Sequence, residues 1–400
     1  MDALEGLTVL DFSSHIAGPY ATKLLADLGA RVIKVERPGG DPSRGLGPWL
    51  GDTPGVERSG TYQYLNTNKD SIVLDLTAPG VEPVVERLVN MAGLVVVAFP
   101  PETRTKLGLD YERIRHTKDV PVLEVSNFGN SGPYRDYRLS DTVLYAMGSE
   151  MFSHGTADRE PLKMGGTAAL IQCGAMAAIA ALGAVYGHEA HGIGQLVEVP
   201  LFDVQINNVD RRISAILAYR FTGRVNGRPL SAGGGLFSGV HPCADGYVEV
   251  TAAGGEYWKR FAEMVGDPAL QDPKWLNPAT LGDPEARAEL DAIAYGWLLP
   301  KTRLEIWTEA RKARALIAPL FTAVDLYNDP VFRQRGLWTE VEHAVLGKFP
   351  MLGRPYSLEG TPWRIRTAAP MLGEHTDAIL AEAGFNAAEI AALRTAGVAA

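Results

Sequence analysis

Cysteine is almost absent from this chain: Cys173 and Cys243 are its only two in 400 residues. Two thiols can build neither a disulfide framework nor a cysteine-rich metal cage, and their scarcity points to a reducing compartment. Neither lies in a basic cluster that would favour a thiolate, so both read as packed side chains. Positive charge is in deficit, with 38 Lys and Arg against 47 Asp and Glu, a net charge of −9. Such a surface argues against a nucleic-acid partner. The opening Met1–Gly6 carries acidic residues where a secretory leader needs basic ones before an apolar run, so a cytoplasmic location is expected. Charge is missing altogether from Gly165 to Gly187, a length that meets the crude criterion for a membrane span. Ala and Gly dominate that stretch, with little of the Leu, Ile and Phe that favour insertion, and the preferred reading is a closely packed helix buried on most sides, with no membrane partner.

What is present begins with a strand, turn, helix and strand within residues 4–37. Leu7 to Phe12 alternates apolar side chains, Ala17-Gly18-Pro19 reads as a break, and Leu24, Leu25 and Leu28 form one stripe of a helix from Tyr20 to Leu28. Gly29 ends the helix and Arg31 to Val35 is a second strand, so the chain opens as a βαβ unit with a parallel sheet. The unit lacks the GxGxxG glycines that let a pyrophosphate approach a helix N-terminus, which disfavours NAD or FAD. Ser71 to Leu76, Gly93 to Ala98 and Val120 to Ser126 are further candidate strands. At roughly 150 residues per domain the length fits two or three domains. Residues 1–200 read as a large α/β domain, 201–224 as a linker helix carrying Asp210, Arg211 and Arg212, and 225–325 as a smaller α/β domain entered through the turn-rich NGRPLSAGGGLFSG. Residues 326–400 have no self-contained core pattern before the helices that follow Gly373.

The segment AGPYATKLLADLGARVIKVERPGGDPSRG, with NTNKDSIVLDL at 66–76, KLGLDYERI at 106–114, GIGQLVEVPLFD at 192–203, HPCADGYVEV at 241–250 and MLGEHTDAIL at 371–380, resembles the family III CoA-transferases. That group includes formyl-CoA transferase, carnitine CoA-transferase and α-methylacyl-CoA racemase. The resemblance runs over nearly the whole chain. It implies a Rossmann-like parallel-sheet large domain, a C-terminal tail returning to it, a smaller domain, and two chains interlocked as a dimer. CoA or an acyl-CoA would be the substrate, with no metal. In such enzymes an Asp at the start of the small-residue helix attacks the acyl-CoA, storing the thioester energy in a covalent intermediate. That Asp stands twenty-five positions before the Gln of the Gly-x-Gly-Gln motif, and counting back from Gln195 reaches Leu170. No Asp or Glu lies between Glu160 and Glu189. The racemases use a His together with that same Asp, the His standing one residue before another Asp in the stretch after Gly-Pro-Tyr; the matching residues here are Ser140-Asp141, and serine is a poor general base without an activating neighbour.

By the same resemblance Arg37, Phe99, Lys106 and Arg138 match positions that hold CoA, a reasonable use of cations because charge-assisted contacts to phosphate are strong. The usual Asn-Phe-x-Pro-Gly reads Ala98-Phe99-Pro100-Pro101-Glu102, and Ile16 replaces a glutamine of formyl-CoA transferase. His15, in the turn that lines the thioester pocket of the family, and Asp141 are candidate assisting groups, each set against a structural role, for Asp141 a helix N-cap. Gly233, Gly234 and Gly235 resemble a loop that closes over the site in some members. Glu374-His375 reads as a structural helix start. The expectation is a subunit of a heteromeric CoA-transferase of the benzylsuccinate type, whose Asp-bearing paralogue performs the covalent step, or a chain that pairs with itself. A non-covalent acyl-CoA isomerase or lyase using His15, Asp141 or Glu150, and a CoA-ester-binding protein without catalysis, stand as alternatives.

Overall fold

The computed structural model describes every residue except 208–209, 226, 229–235, 278 and 281–282. The chain forms two compact units: residues 1–151, 163–225 and 332–400 make the first, and 152–162 with 226–331 the second.

The first unit is built, in chain order, from β1 (Thr8–Phe12), α1 (Ala17–Asp27), β2 (Arg31–Glu36), α2 (Gly60–Leu65), β3 (Lys69–Val73), α3 (Glu82–Met91), β4 (Leu94–Val97), α4 (Pro101–Lys106), α5 (Tyr111–Thr117), β5 (Val122–Ser126), α6 (Asp141–Met147), α7 (Glu150–Ser153), which runs on into the second unit, α8 (Ala168–His191), β6 (Leu196–Pro200), α9 (Leu201–Asn207) and α10 (Asp210–Thr222). Its six strands are all parallel, in the order β3-β2-β1-β4-β5-β6. The strand order reverses between β1 and β4, and such a switch point leaves a crevice at the carboxyl ends of the strands. Burial on both faces explains the near-continuous apolar runs: Leu94, Val95, Val96 and Val97 are all buried.

The second unit has an antiparallel sheet of β7 (Gly239–Cys243), β8 (Gly246–Thr251) and β9 (Leu316–Pro319), with helices α11 (Gly255–Val265), α12 (Pro284–Leu298), α13 (Arg303–Ala313), α14 (Ala323–Asn328) and α15 (Pro330–Gln334). Phe237, Trp258, Phe261 and Trp275 centre its core. The chain then returns to the first unit through the hairpin β10 (Trp338–His343) and β11 (Gly347–Leu352), and through α16 (Thr376–Glu382) and α17 (Ala387–Thr395). This tail covers the open edge of β3: the Val73 N–H donates to Thr376 Oγ1 at 3.2 Å, the His375 N–H to Ser71 O at 3.0 Å, and the Asp75 N–H to Val398 O at 2.9 Å. An edge strand thereby loses the row of unpaired backbone groups that invites aggregation.

Several sequence expectations change. Helix α1 begins at Ala17, on the segment read as a break; proline is tolerated in a first turn, and Gly18 is required because a Cβ there would collide with Ser13. Strand β6 joins the sheet edge, and α9 buries Leu201 and Val204 in the core beneath α8, so 201–207 belongs to the first unit rather than to a linker. Residues 152–162 leave the large domain for the second unit, where the Arg228 guanidinium donates to Thr156 O at 3.1 Å, Phe152 O at 3.2 Å and Arg159 O at 3.3 Å. Helix α8 meets the length and hydropathy of a membrane span, yet one face packs inside the unit, against α1. Gly174 permits that approach, since a Cβ would stand 2.5 Å from Ala17 O. Burial is one-sided: Ile179 and Tyr186 are 62% and 72% exposed on the same helix.

Candidate functional site

The residues expected to face the substrate lie in segments that follow strands of the sheet. Arg37 follows β2, Phe99 follows β4, Lys106 ends α4 and Arg138 lies between β5 and α6. Phe99 packs against the apolar cluster under the sheet. Arg37 is exposed and its Nε donates to Gly40 O at 3.1 Å, closing its own turn. Lys106 is spoken for by Glu102, 2.6 Å away and one helical turn back, so the glutamate that replaces the usual glycine of the motif competes for the lysine. Arg138 is exposed.

His15 sits at the switch point with φ 72°, a left-handed conformation uncommon for a side-chain-bearing residue, and its backbone N–H donates to Asp41 Oδ1 at 3.2 Å. Its side chain is exposed. Ile16 is buried and precedes α1 as its N-cap. Asp141 is not the cap of α6: Ser140 is, accepting from the Val143 N–H, and Asp141 pairs with Lys163 instead. Lys163 also donates to Met164 O at 2.8 Å and Gly166 O at 2.7 Å, which ties the approach to α8 onto α6. The second oxygen of Asp141 is buried with no hydrogen-bond partner among the described residues.

Leu170 lies in the first turn of α8, 5% exposed within the apolar cluster of Ile16, Leu144 and Val204. The same turn has no acidic residue, and its N-cap Thr167 makes no side-chain capping bond. One turn on, burial pushes the Cys173 thiol up to about 12, with Asp141 adding to the shift, so it is inert at neutral pH. Ile16, Pro48, Thr61, Tyr64, Leu65, Thr167 and Ile171 line a cavity of about 380 Å³ beside this helix start. Gly233, Gly234 and Gly235 lie outside the described residues. Among the described residues no three His, Cys, Asp or Glu side chains gather as a metal-binding group.

Sequence reasoning missed what most of the motif charges do. Glu36 accepts from Arg44 Nε at 2.8 Å and Nη2 at 2.9 Å, from the Tyr62 hydroxyl at 2.9 Å and from Ser71 Oγ at 2.8 Å. Arg44 reaches on to Glu57 at 2.7 Å and to Pro370 O at 3.1 Å, fastening the tail to the loop after β2. Burial alone would raise the Asp41 carboxyl, but Lys34, 2.8 Å away, holds it down at about 2. Lys69 donates to Thr22 Oγ1 at 2.8 Å and to Asn66 Oδ1 and Pro19 O, each at 2.9 Å, and lies 3.3 Å from Asp11. Burial outweighs Asp11 and pushes the Lys69 ammonium down to about 7. Glu374 and His375 are structural as expected: His375 Nδ1 accepts the Ser71 N–H at 3.2 Å, and Glu374 accepts the Met371 N–H at 2.8 Å.

Comparison with known proteins agrees with this geometry. The family model described as CoA-transferase family III matches residues 4–376. The chain is 30% identical over 396 residues to succinyl-CoA:(R)-benzylsuccinate CoA-transferase subunit BbsE of Thauera aromatica, covering 96% of this chain and 94% of that protein. It is 31% identical to succinyl-CoA–D-citramalate CoA-transferase of Chloroflexus aurantiacus, covering 95% and 93% respectively. Among solved structures, a CAIB/BAIF family protein from Brucella suis superposes with a TM-score of 0.83 at 28% identity, covering 96% of this chain and 99% of that one. With the parallel sheet, the ordered motifs and the family match in agreement, the chain belongs to CoA-transferase family III.

Proposed function

We propose that this chain is the non-nucleophilic subunit of a heteromeric CoA-transferase that moves CoA between an acyl-CoA, such as succinyl-CoA, and an organic acid. The observation that carries the reading is Leu170. The position counted back from Gln195 holds a buried leucine in an apolar cluster, and an alkyl side chain offers neither a lone pair for attack nor a proton for transfer. The relative from Thauera aromatica is itself named as a subunit.

A partner explains the surface as well. Tyr186 and Ile179 of α8 and Ile216, Leu217, Tyr219 and Phe221 of α10 are exposed, the last at 79%. Large apolar side chains left exposed along two helices are what an obligate interface would cover. The proposed partner is an Asp-bearing paralogue, interlocked with this chain, in the cytoplasm. CoA would lie along the carboxyl ends of the strands, its phosphates met by Arg37, Lys106 and Arg138 and its adenine by Phe99. Asp141, with one oxygen unpaired among the described residues, is the carboxylate nearest in role to an assisting group.

Purification from the native host followed by mass spectrometry of the intact assembly tests the reading. A second, related chain bearing Asp at the position of Leu170 is the expected result. Finding this chain alone, with CoA-transfer activity, would overturn it.

A further inference from the structure

The cavity beside the start of α8 has a chemistry that covalent CoA transfer does not require. Its walls are Ile16, Pro48, Leu65 and Ile171, with the ring of Tyr64. Of its polar lining, Thr61 Oγ1 donates to Gly47 O at 2.6 Å, and the Tyr64 phenol, pushed up by burial, belongs to a ring stacked on Tyr20 at 6.1 Å. Among the described residues no charged side chain lines the cavity. An acyl group ending in a second carboxylate would meet no cation in that lining, whereas a hydrocarbon group gains from covering the apolar walls.

The volume is also sufficient. A cavity of roughly 150 Å³ lined by aliphatic and aromatic side chains holds benzene, and this one is about 380 Å³. Its position continues the crevice, because Ile16 directly follows His15 in the turn that ends β1 at the switch point. We propose that the pocket seats the hydrocarbon part of the acyl group of a CoA thioester, branched-chain or aryl, and that Ile16 and Ile171 select this group over a short dicarboxylic acyl group. The assignment rests on the CoA-ester reading above and narrows it: the thioester held by this chain is not the succinyl donor.

Equilibrium binding to the purified assembly tests it, using free CoA and the thioether analogues of isovaleryl-CoA, phenylacetyl-CoA and succinyl-CoA, which cannot turn over. Seating even one methylene in an apolar pocket discriminates by about 10-fold or more, so the isovaleryl or phenylacetyl analogue is expected to bind at least about 10-fold tighter than the succinyl analogue. Ile16→Gln places an amide in the wall and Ile171→Trp fills the space; each should bring that ratio close to one. Because either change could disturb folding, far-UV circular dichroism and the elution volume of each variant assembly are compared with the parent's. Equal affinities for the three analogues, tightest binding of the succinyl analogue, or a ratio that survives both substitutions in folded protein would overturn the pocket assignment alone. Failure of free CoA and every analogue to bind would overturn the CoA-ester reading together with it.

Discussion

Two regions of the first unit contrast sharply in how they use polar groups. Beneath the loop that follows β2, Glu36, Arg44, Tyr62 and Ser71 hydrogen-bond to one another in full burial, and Lys34 with Asp41 and Lys69 with Asp11 form buried ion pairs beside them. At the start of α8, Leu170 and Ile16 share one apolar cluster, and among the described residues no charged side chain lines the adjoining cavity. Charged residues within the motifs that carry the family resemblance therefore hold up the fold, and function has to be argued from a site rather than from the fold. A match across the chain establishes the family; only the individual residues at the site speak to the reaction.

Breaking the satisfied region should have the largest effect. Arg44→Met leaves Glu36 and Glu57 without their cation, and removing one partner of a buried pair costs about 3–5 kcal/mol. Urea denaturation should show that loss, and a loss under about 1 kcal/mol would mean that the network is not what fastens the tail. At the apolar region the opposite change is informative. Leu170→Asp puts a carboxylate into an apolar cluster, so it should destabilise by about 2–4 kcal/mol, raise the pKa of the new group and restore little or no CoA transfer. Substantial transfer by that variant without its partner would show that the rest of a working site has survived.

A smaller effect sharpens the comparison through pH. The Asp41 carboxyl is held at about 2 in the folded chain against an ordinary value of 3.8. Its contribution is present above pH 3.8 and is lost as pH falls through about 2, and the difference corresponds to about 2 kcal/mol. Asp41→Asn should lower stability at pH 7 by an amount of that order and flatten the acid limb, and an acid limb identical to the parent's would exclude the linkage. The smallest effect belongs to the exposed rim. Arg138→Ala is expected to weaken CoA on the order of fivefold at low salt, and less as salt rises; isothermal titration at two ionic strengths reads both.

The sequence made the sheet legible because its signals are local. The alternation in Leu7–Phe12, the leucine stripe of α1 and the valine run of β4 each fix their element within a few residues, whereas β3 starts two residues earlier and ends three earlier than Ser71–Leu76, and the start of α1 and the edge strand β6 escaped. Strand β6 leaves Leu196 exposed and ends in Pro200, so it lacks the clear alternation of its neighbours. The buried ionic network could not be read that way. Arg44 and Pro370 meet across the fold, and nothing in a charged residue's own neighbourhood says that it will be buried. Leu170 could be singled out by a count from Gln195, but the cavity beside it combines side chains from four separate segments and exists only after folding.

The division of labour between this chain and its proposed partner is tested most directly by trapping the acyl-enzyme. The purified assembly is incubated with its acyl-CoA donor, quenched with hydroxylamine, digested and sequenced by mass spectrometry. Hydroxamate is expected on one aspartate of the partner chain and on no Asp or Glu of this one. A hydroxamate on any carboxylate of this chain, Asp141 included, formed at the rate of turnover, would show that it carries its own nucleophile and would contradict the assignment.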